Sequence, residues 1–308
     1  MEKLNPGMRL AQWAMCLAML LAGSCSSDNN PDEPEPPSPG LLPIKLSFSI
    51  SAPASRATDT AFETGDRIGL YVANYAESTP PILQTAGNHV DNMPFSYSGN
   101  TWTSQSSVYW EDDTTPADFY AYFPYASTVA DITAHPAEIK TDQSTASAYD
   151  SSNALWGKTA KQKPTASAVH ITLAPLFSRI VVNLTAGKGF TTTDLADADI
   201  QVVLNNARHK AILNLAQGTA TPTGGSSDIR FLRDSDGQSF RAWVVPQDIA
   251  LHITVTINGN PYTIKQEFSF EGGKQHSFTL TVDKTGEGLQ VDITGWETDD
   301  IDYGGTVG

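Results

Sequence analysis

Ile44-Lys45-Leu46-Ser47-Phe48-Ser49-Ile50 is the stretch on which the fold turns. In an extended chain successive side chains point to opposite faces, so Ile44, Leu46, Phe48 and Ile50 share one face while Lys45, Ser47 and Ser49 share the other. That is the pattern of a half-buried β-strand; wound as a helix, the same residues would scatter their apolar groups around the axis. The period of two recurs outward along the chain. It appears in Ile68-Gly69-Leu70-Tyr71-Val72, in Asp118-Phe119-Tyr120-Ala121-Tyr122-Phe123 and in Val169-His170-Ile171-Thr172-Leu173, then at Ile180/Val182/Leu184, Ile200/Val202/Leu204 and Leu213/Leu215. Further on it returns at Phe240/Ala242/Val244, Leu251/Ile253/Val255/Ile257, Tyr262/Ile264, Phe278/Leu280/Val282 and Leu289/Val291/Ile293.

Asn258-Gly259-Asn260-Pro261 between two such runs is a hairpin signal. Gly187-Lys188-Gly189-Phe190 reads as a hairpin tip, and Gly224-Gly225-Ser226-Ser227 as a loop. No segment sustains a helical period over three turns; residues 137–152 have room for a short helix diluted by Ser, Thr and Asp. The class is therefore all-β, with strand spacing that suggests sandwiches. Pro164 and Pro175 bracket the middle, which divides the chain into residues 41–175 and 176–308.

The 308 residues suit two domains of ordinary size, and their composition (40% hydrophobic, 17% charged) supports packed cores. A formal charge of −15 opposes nucleic-acid binding, which needs basic patches to displace counterions from phosphates. Both cysteines, Cys16 and Cys25, lie near the start, so the rest of the chain can form neither a disulfide framework nor a cysteine metal site.

The first 24 residues are an address. Lys3 and Arg9 precede an apolar run at residues 10–23 that is interrupted only by Gln12. At 14 residues it is shorter than the roughly 20 that cross a bilayer as a helix, and it reads as a signal-peptide core. Leu21-Ala22-Gly23-Ser24-Cys25 resembles a bacterial lipoprotein box, in which the thiol and freed amine of Cys25 carry acyl chains that anchor the protein to a membrane. Residues 25–40, rich in Pro and acid, bury nothing and make a solvated tether. The acidic stretch directly after Cys25 also resembles a surface-export signal of Bacteroidota lipoproteins.

Catalytic chemistry is thin. The six histidines form no local metal motif, and His170 and His252 fall on the polar phase of strands. No Gly-x-Ser-x-Gly elbow is present. Asp234-Ser235-Asp236-Gly237 lacks the further ligands of a calcium loop and reads as a turn, while Glu111-Asp112-Asp113 and Asp299-Asp300-Ile301-Asp302 read as solvated acid runs. The expectation is a protein without enzymatic activity, metal or cofactor. Trp102, Trp110, Trp156, Trp243 and Trp296 either fill cores or, if exposed, offer platforms for sugars.

Several segments, in order, resemble the Bacteroidota fimbrillin family and its minor-fimbrillin-like branch. They are Ala61-Phe62-Glu63-Thr64-Gly65-Asp66-Arg67-Ile68-Gly69-Leu70-Tyr71, Tyr109-Trp110, Asp118-Phe119-Tyr120-Ala121-Tyr122-Phe123-Pro124 and Ser178-Arg179-Ile180-Val181-Val182-Asn183-Leu184. Val245-Pro246-Gln247, Ile257-Asn258-Gly259 and Val291-Asp292-Ile293-Thr294-Gly295-Trp296 complete the set, so the likeness spans residues 44–296. Where the family often has a His before its middle strand, this chain reads Ala174-Pro175-Leu176-Phe177.

The resemblance implies two tandem transthyretin-like β-sandwich domains and a subunit of a type V pilus (a fimbrium) or a related surface adhesin at the outer membrane. Such subunits travel as lipoproteins, lose an N-terminal segment to an Arg-directed protease, and join other subunits or their own kind by strand exchange. On this chain Ile44, Leu46, Phe48 and Ile50 form the removable first strand, and cleavage would fall between Arg56 and Ala57. The alternative is that Arg56 is a loop residue and the chain stays lipid-anchored. The donor-strand candidate is Leu289/Val291/Ile293 with the tail beyond it. Residues 297–308 are short, acidic and poorly alternating, which favours a tip, minor or anchored subunit over the shaft. The competing function is a monomeric, lipid-anchored surface protein that binds glycans; host or bacterial surface ligands suit either reading.

Overall fold

The computed structural model describes residues 40–51, 61–285, 288–292 and 301–302. Its strands, in chain order, are β1 (Lys45–Ile50), β2 (Arg67–Asn74), β3 (Val90–Ser98), β4 (Thr101–Ser104), β5 (Ala117–Phe123), β6 (His135–Glu138), β7 (Leu155–Gln162), β8 (Ala168–Pro175) and β9 (Ser178–Ala186). They continue with β10 (Ile200–Asn214), β11 (Thr219–Arg230), β12 (Leu232–Arg233), β13 (Ser239–Val244), β14 (Gln247–Ile257), β15 (Asn260–Phe270), β16 (Lys274–Thr285), β17 (Gly288–Asp292) and β18 (Ile301–Asp302). Two short helices, α1 (Ala146–Asp150) and α2 (Thr192–Asp197), interrupt them. The class is all-β, as the alternation requires.

A seven-stranded sheet runs β1-β8-β7-β5-β2-β3-β4. Every strand between Lys45 and Pro175 belongs to it except β6, which pairs antiparallel with β10. The later strands make a sheet ordered β11-β10-β14-β15 and another ordered β12-β13-β9-β16-β17, with β18 also on β16.

The centre of the seven-stranded sheet is covered on both faces, which is why β2 and β5 are apolar almost throughout rather than alternating. On one side Ile68, Leu70, Val72, Phe119 and Ala121 pack with Phe48, Trp110, Val169 and Ile171. On the other, Tyr71, Tyr120 and Tyr122 join a core that includes Ile180, Val202, Phe240 and Phe278 from the later strands. At the β1–β8 end only one face is covered: Val169, Ile171 and Leu173 are buried while His170 and Thr172 are exposed, and there the alternation is clean.

The turn at Asn258-Gly259 is the expected tight hairpin, with φ of 49° and 84° and Ile257 opposite Asn260. Two expectations are corrected. Residues 187–190 lead from β9 into α2, not into a hairpin, because Thr191 and Asp194 exchange side chain–backbone hydrogen bonds in a capping box that starts a helix. Residues 224–227 lie inside β11, since β10 supplies a partner edge that sets Ser226 opposite Arg208 and Ser227 opposite Ala207.

Candidate assembly site

β1 is an edge strand whose backbone pairs in parallel with β8, from Lys45 opposite Ala168 to Ile50 opposite Leu173. Its approach is clamped from the other side: Ile44 N–H donates to Val108 C=O at 2.8 Å and Trp110 N–H to Leu42 C=O at 2.9 Å. Past the strand's end Ser51 N–H donates to Leu173 C=O at 2.8 Å. From Lys45 to Ile50 the second backbone edge meets no strand among the described residues.

The four alternating residues lie on the core face. Phe48 is buried, and Ile44, Leu46 and Ile50 are half-buried against the same cluster. The Phe48 ring sits 5.6 Å from Phe95 and 5.2 Å, nearly edge-on, from Trp102. Phe62 continues the aromatic group 4.8 Å from Trp102. Because Phe95 and Trp102 belong to β3 and β4 at the opposite end of the sheet, β1 plugs the space where the two ends curl toward each other.

On the outer face the His170 imidazole sits between two β1 hydroxyls, Ser47 Oγ at 3.0 Å from Nδ1 and Ser49 Oγ at 2.9 Å from Nε2. A neutral ring donates through one nitrogen and accepts through the other, so both serines are served at once. This clasp between β1 and β8 was not legible in the sequence, where His170 shows only a polar phase; the signal that could have found it is the pairing register.

Leu289 and Val291 lie in β17, opposite Lys284 and Val282 of β16, so the donor-strand candidate pairs with its own chain at those positions. Cys25, Arg56, Ala57 and Ile293 fall outside the described residues. The acid run at residues 111–113 is engaged internally. Glu111 lies 2.9 Å from His89 Nδ1 and accepts from Asn74 Nδ2 at 3.1 Å. Hydrogen bonds from the Thr115 hydroxyl and from the Thr114 and Thr115 amides hold the Asp112 carboxyl well below the usual carboxylate range. Asp236 caps the turn at residues 234–237 by accepting from the Gln238 and Ser239 amides. Among the described residues no group of three or more His, Cys, Asp or Glu is placed to hold a metal ion. Trp110 and Trp243 are buried, while Trp102 and Trp156 are half-buried, so none of the described tryptophans stands out as a platform for sugars.

A β-protein whose first strand is an edge plug over an aromatic core matches known proteins over most of its length. The sequence profile described as "Fimbrillin-like" matches residues 55–296, and the chain belongs to that family. It is 24% identical over 294 residues to a Bacteroides uniformis protein named "Putative fimbrium subunit Fim1C", covering 91% of this chain and 92% of that one. A Bacteroides ovatus protein named "Putative fimbrium tip subunit Fim1C" is 30% identical over 125 residues, which is 39% of this chain and 22% of the relative. In fold, the crystal structure of a protein described as a "putative cell adhesion protein" from B. uniformis aligns with a TM-score of 0.62 at 21% identity, covering 83% of this chain and 97% of that one. One from B. ovatus aligns at 0.64 with 15% identity, covering 84% and 99%.

Proposed function

We propose that this protein is a non-enzymatic fimbrial subunit or fimbrillin-like surface adhesin that is exported as a lipoprotein on Cys25 and assembles by exchanging its first strand. Cleavage between Arg56 and Ala57 releases the segment carrying Ile44, Leu46, Phe48 and Ile50. The vacated β8 edge and the pocket left by Phe48 then accept an extended strand from another subunit, whose backbone supplies the ladder and whose alternate side chains fill the core. Leu289, Val291 and Ile293 are the strand this chain donates in turn. The chain is read as two tandem transthyretin-like sandwiches, residues 41–175 and 176–308. The precursor sits at the outer membrane, and the trimmed product in the fimbrium.

One observation carries the reading: β1 combines a buried aromatic plug with a backbone held along its length by one neighbour. Removing such a strand opens a seat for another without dismantling the rest of the sheet. The relatives' names, "Putative fimbrium subunit" and "Putative fimbrium tip subunit", support a fimbrial role.

Intact mass and N-terminal sequencing of the protein taken from native cells test this. A chain in purified fimbriae that begins at Ala57 and carries no lipid is the expected result. Assembled fimbriae whose subunits begin at acylated Cys25 would overturn strand exchange and leave an anchored protein.

A further inference from the structure

Among the described residues β15 has one backbone edge without a partner strand along Asn260–Phe270, with β14 on its other side. Free strand edges are templates for pairing, and proteins ordinarily shorten, bulge or cover them. The remaining sheet edges among the described residues follow that habit. β4 and β12 have four and two residues, and β17 has five. β1 is open along its six residues only, and the chain just before it is clamped by residues 108–110. β11 is long but breaks register against β10 twice and contains Pro222, Gly224 and Gly225. By contrast β15 keeps register with β14 over all eleven positions.

The side chains on that edge are complementary to themselves. Reversing Tyr262-Thr263-Ile264-Lys265-Gln266-Glu267-Phe268-Ser269-Phe270 about Gln266 sets Lys265 against Glu267, Ile264 against Phe268, Thr263 against Ser269 and Tyr262 against Phe270. Each is a favourable cross-strand pair: opposite charges, two hydroxyls, and two apolar couples. The faces also match. Ile264, Phe268 and Phe270 belong to the core face, where Phe268 and Tyr262 are only half-buried, whereas Thr263, Lys265, Glu267 and Ser269 are exposed on the outer face. Neither Lys265 nor Glu267 forms an ion pair with a described residue.

The backbone parity agrees. The two-residue turn makes Ile257 and Asn260 a hydrogen-bonded pair, so even-numbered residues of β15 direct their amide and carbonyl groups to β14. Odd-numbered residues direct theirs outward. Pro261, which has no N–H to offer, stands at an outward position, and Thr263, Lys265, Glu267 and Ser269 present complete donor–acceptor sets. A two-fold axis through Gln266 makes residues 265 and 267, and 263 and 269, hydrogen-bonded pairs between copies.

We propose that β15 is a homotypic interface, on which a second copy of this chain pairs its own β15 antiparallel about a two-fold axis at Gln266, so that one sheet runs through both molecules. The contact is isologous and closes after two copies. It uses neither β1 nor the β8 edge, so it stands apart from strand exchange.

The geometry supplies its own test in the full-length chain on intact cells. The two copies of residue 266 form a non-hydrogen-bonded pair, where Cα atoms approach to about 4.5 Å, within the span of a disulfide. Gln266→Cys should therefore yield a covalent dimer on mild oxidation. Thr263→Cys, whose two copies are held far apart by the same register, should not. Adding Lys265→Glu to Gln266→Cys sets like charges together twice and should abolish the dimer, and adding Glu267→Lys as well should restore it. Because residues 265 and 267 are exposed, sedimentation of the detergent-solubilised chain carrying only these charge changes follows the same order without any cysteine. Equal crosslinking at 263 and 266, a product of mass other than two copies, or a charge series without effect would overturn the proposal.

Discussion

Phe48 is where one side chain carries the most consequence. It is buried, touches Phe95 and Trp102, and closes the gap between the two ends of a curled sheet. Truncating a buried Phe removes its transfer energy and leaves a cavity, so Phe48→Ala should cost about 3 kcal/mol in a denaturant titration of the intact chain. Gly218 is critical for the opposite reason. Its φ of +69° already disfavours a side chain, and a β-carbon there would collide with the Trp156 indole, which donates from Nε1 to Leu215 C=O at 2.7 Å. Gly218→Ala should destabilise by about 1–3 kcal/mol, and the same measurement should show Trp156 fluorescence shifting in the folded state. A third sensitive point is Asp118, buried in β5 and held by Lys158 Nζ at 3.0 Å and by Lys161 N–H at 2.7 Å. The cost there comes from stranding the carboxylate, so Lys158→Met should lose about 1–3 kcal/mol despite keeping the aliphatic stem.

At the scale of elements, β6 takes a piece of the earlier sequence into the sheet of the later strands. Its His135 is half-buried, with its ring edge-on to Tyr122 at 5.8 Å, and burial holds its pKa below the ordinary histidine value. The unfolded chain therefore binds a proton more readily than the folded one. Stability from this group is complete above pH of about 6.5 and is lost as pH falls through that value, so His135→Gln should flatten part of the decline between pH 7.5 and 5.5 in unfolding midpoints. Elements were legible in the sequence where one face is covered: β1 and β8 alternate because the other face is wet. β10 was visible only as two runs, Ile200/Val202/Leu204 and Leu213/Leu215, because apolar parity switches between them. The structure accounts for the switch by register shifts between Leu204 and Ala207 and between Arg208 and Lys210, with Asn206 at a φ of 58°. β11 was illegible because its Thr, Gly, Ser and Pro residues follow a partner rather than a propensity. The α2 capping box at Thr191 and Asp194 was readable in principle but is only a few residues long. Of the candidate assembly site, the apolar face of β1 could be read directly, whereas the His170 clasp and the Trp102 wall depend on strands far apart in sequence.

For the whole molecule, the seven-stranded sheet serves as a shared wall between two cores, one holding Phe48 and the other reaching from Tyr71 and Tyr122 to Phe240 and Phe278. A wall packed on both sides ties the cores together, so calorimetry of the intact chain should record one cooperative transition. Two resolved transitions would mean that the cores melt independently. If processing follows the proposed route, Arg56→Ala should leave the mature chain lipid-bound and absent from sheared fimbriae, measured by mass and immunoblot.

β1 runs in the same direction as β8, register intact from Lys45 to Ile50. A hairpin partner such as β15, tugged from its open end, yields one hydrogen bond after another, like a zip. A strand lying in the β1 seat and drawn along its own length meets a different resistance, because all its bonds to β8 are sheared together and none is the first to go. Tension along a strand in that seat is thereby shared across all six register positions, and the seat grips hardest against a pull along the strand's own length.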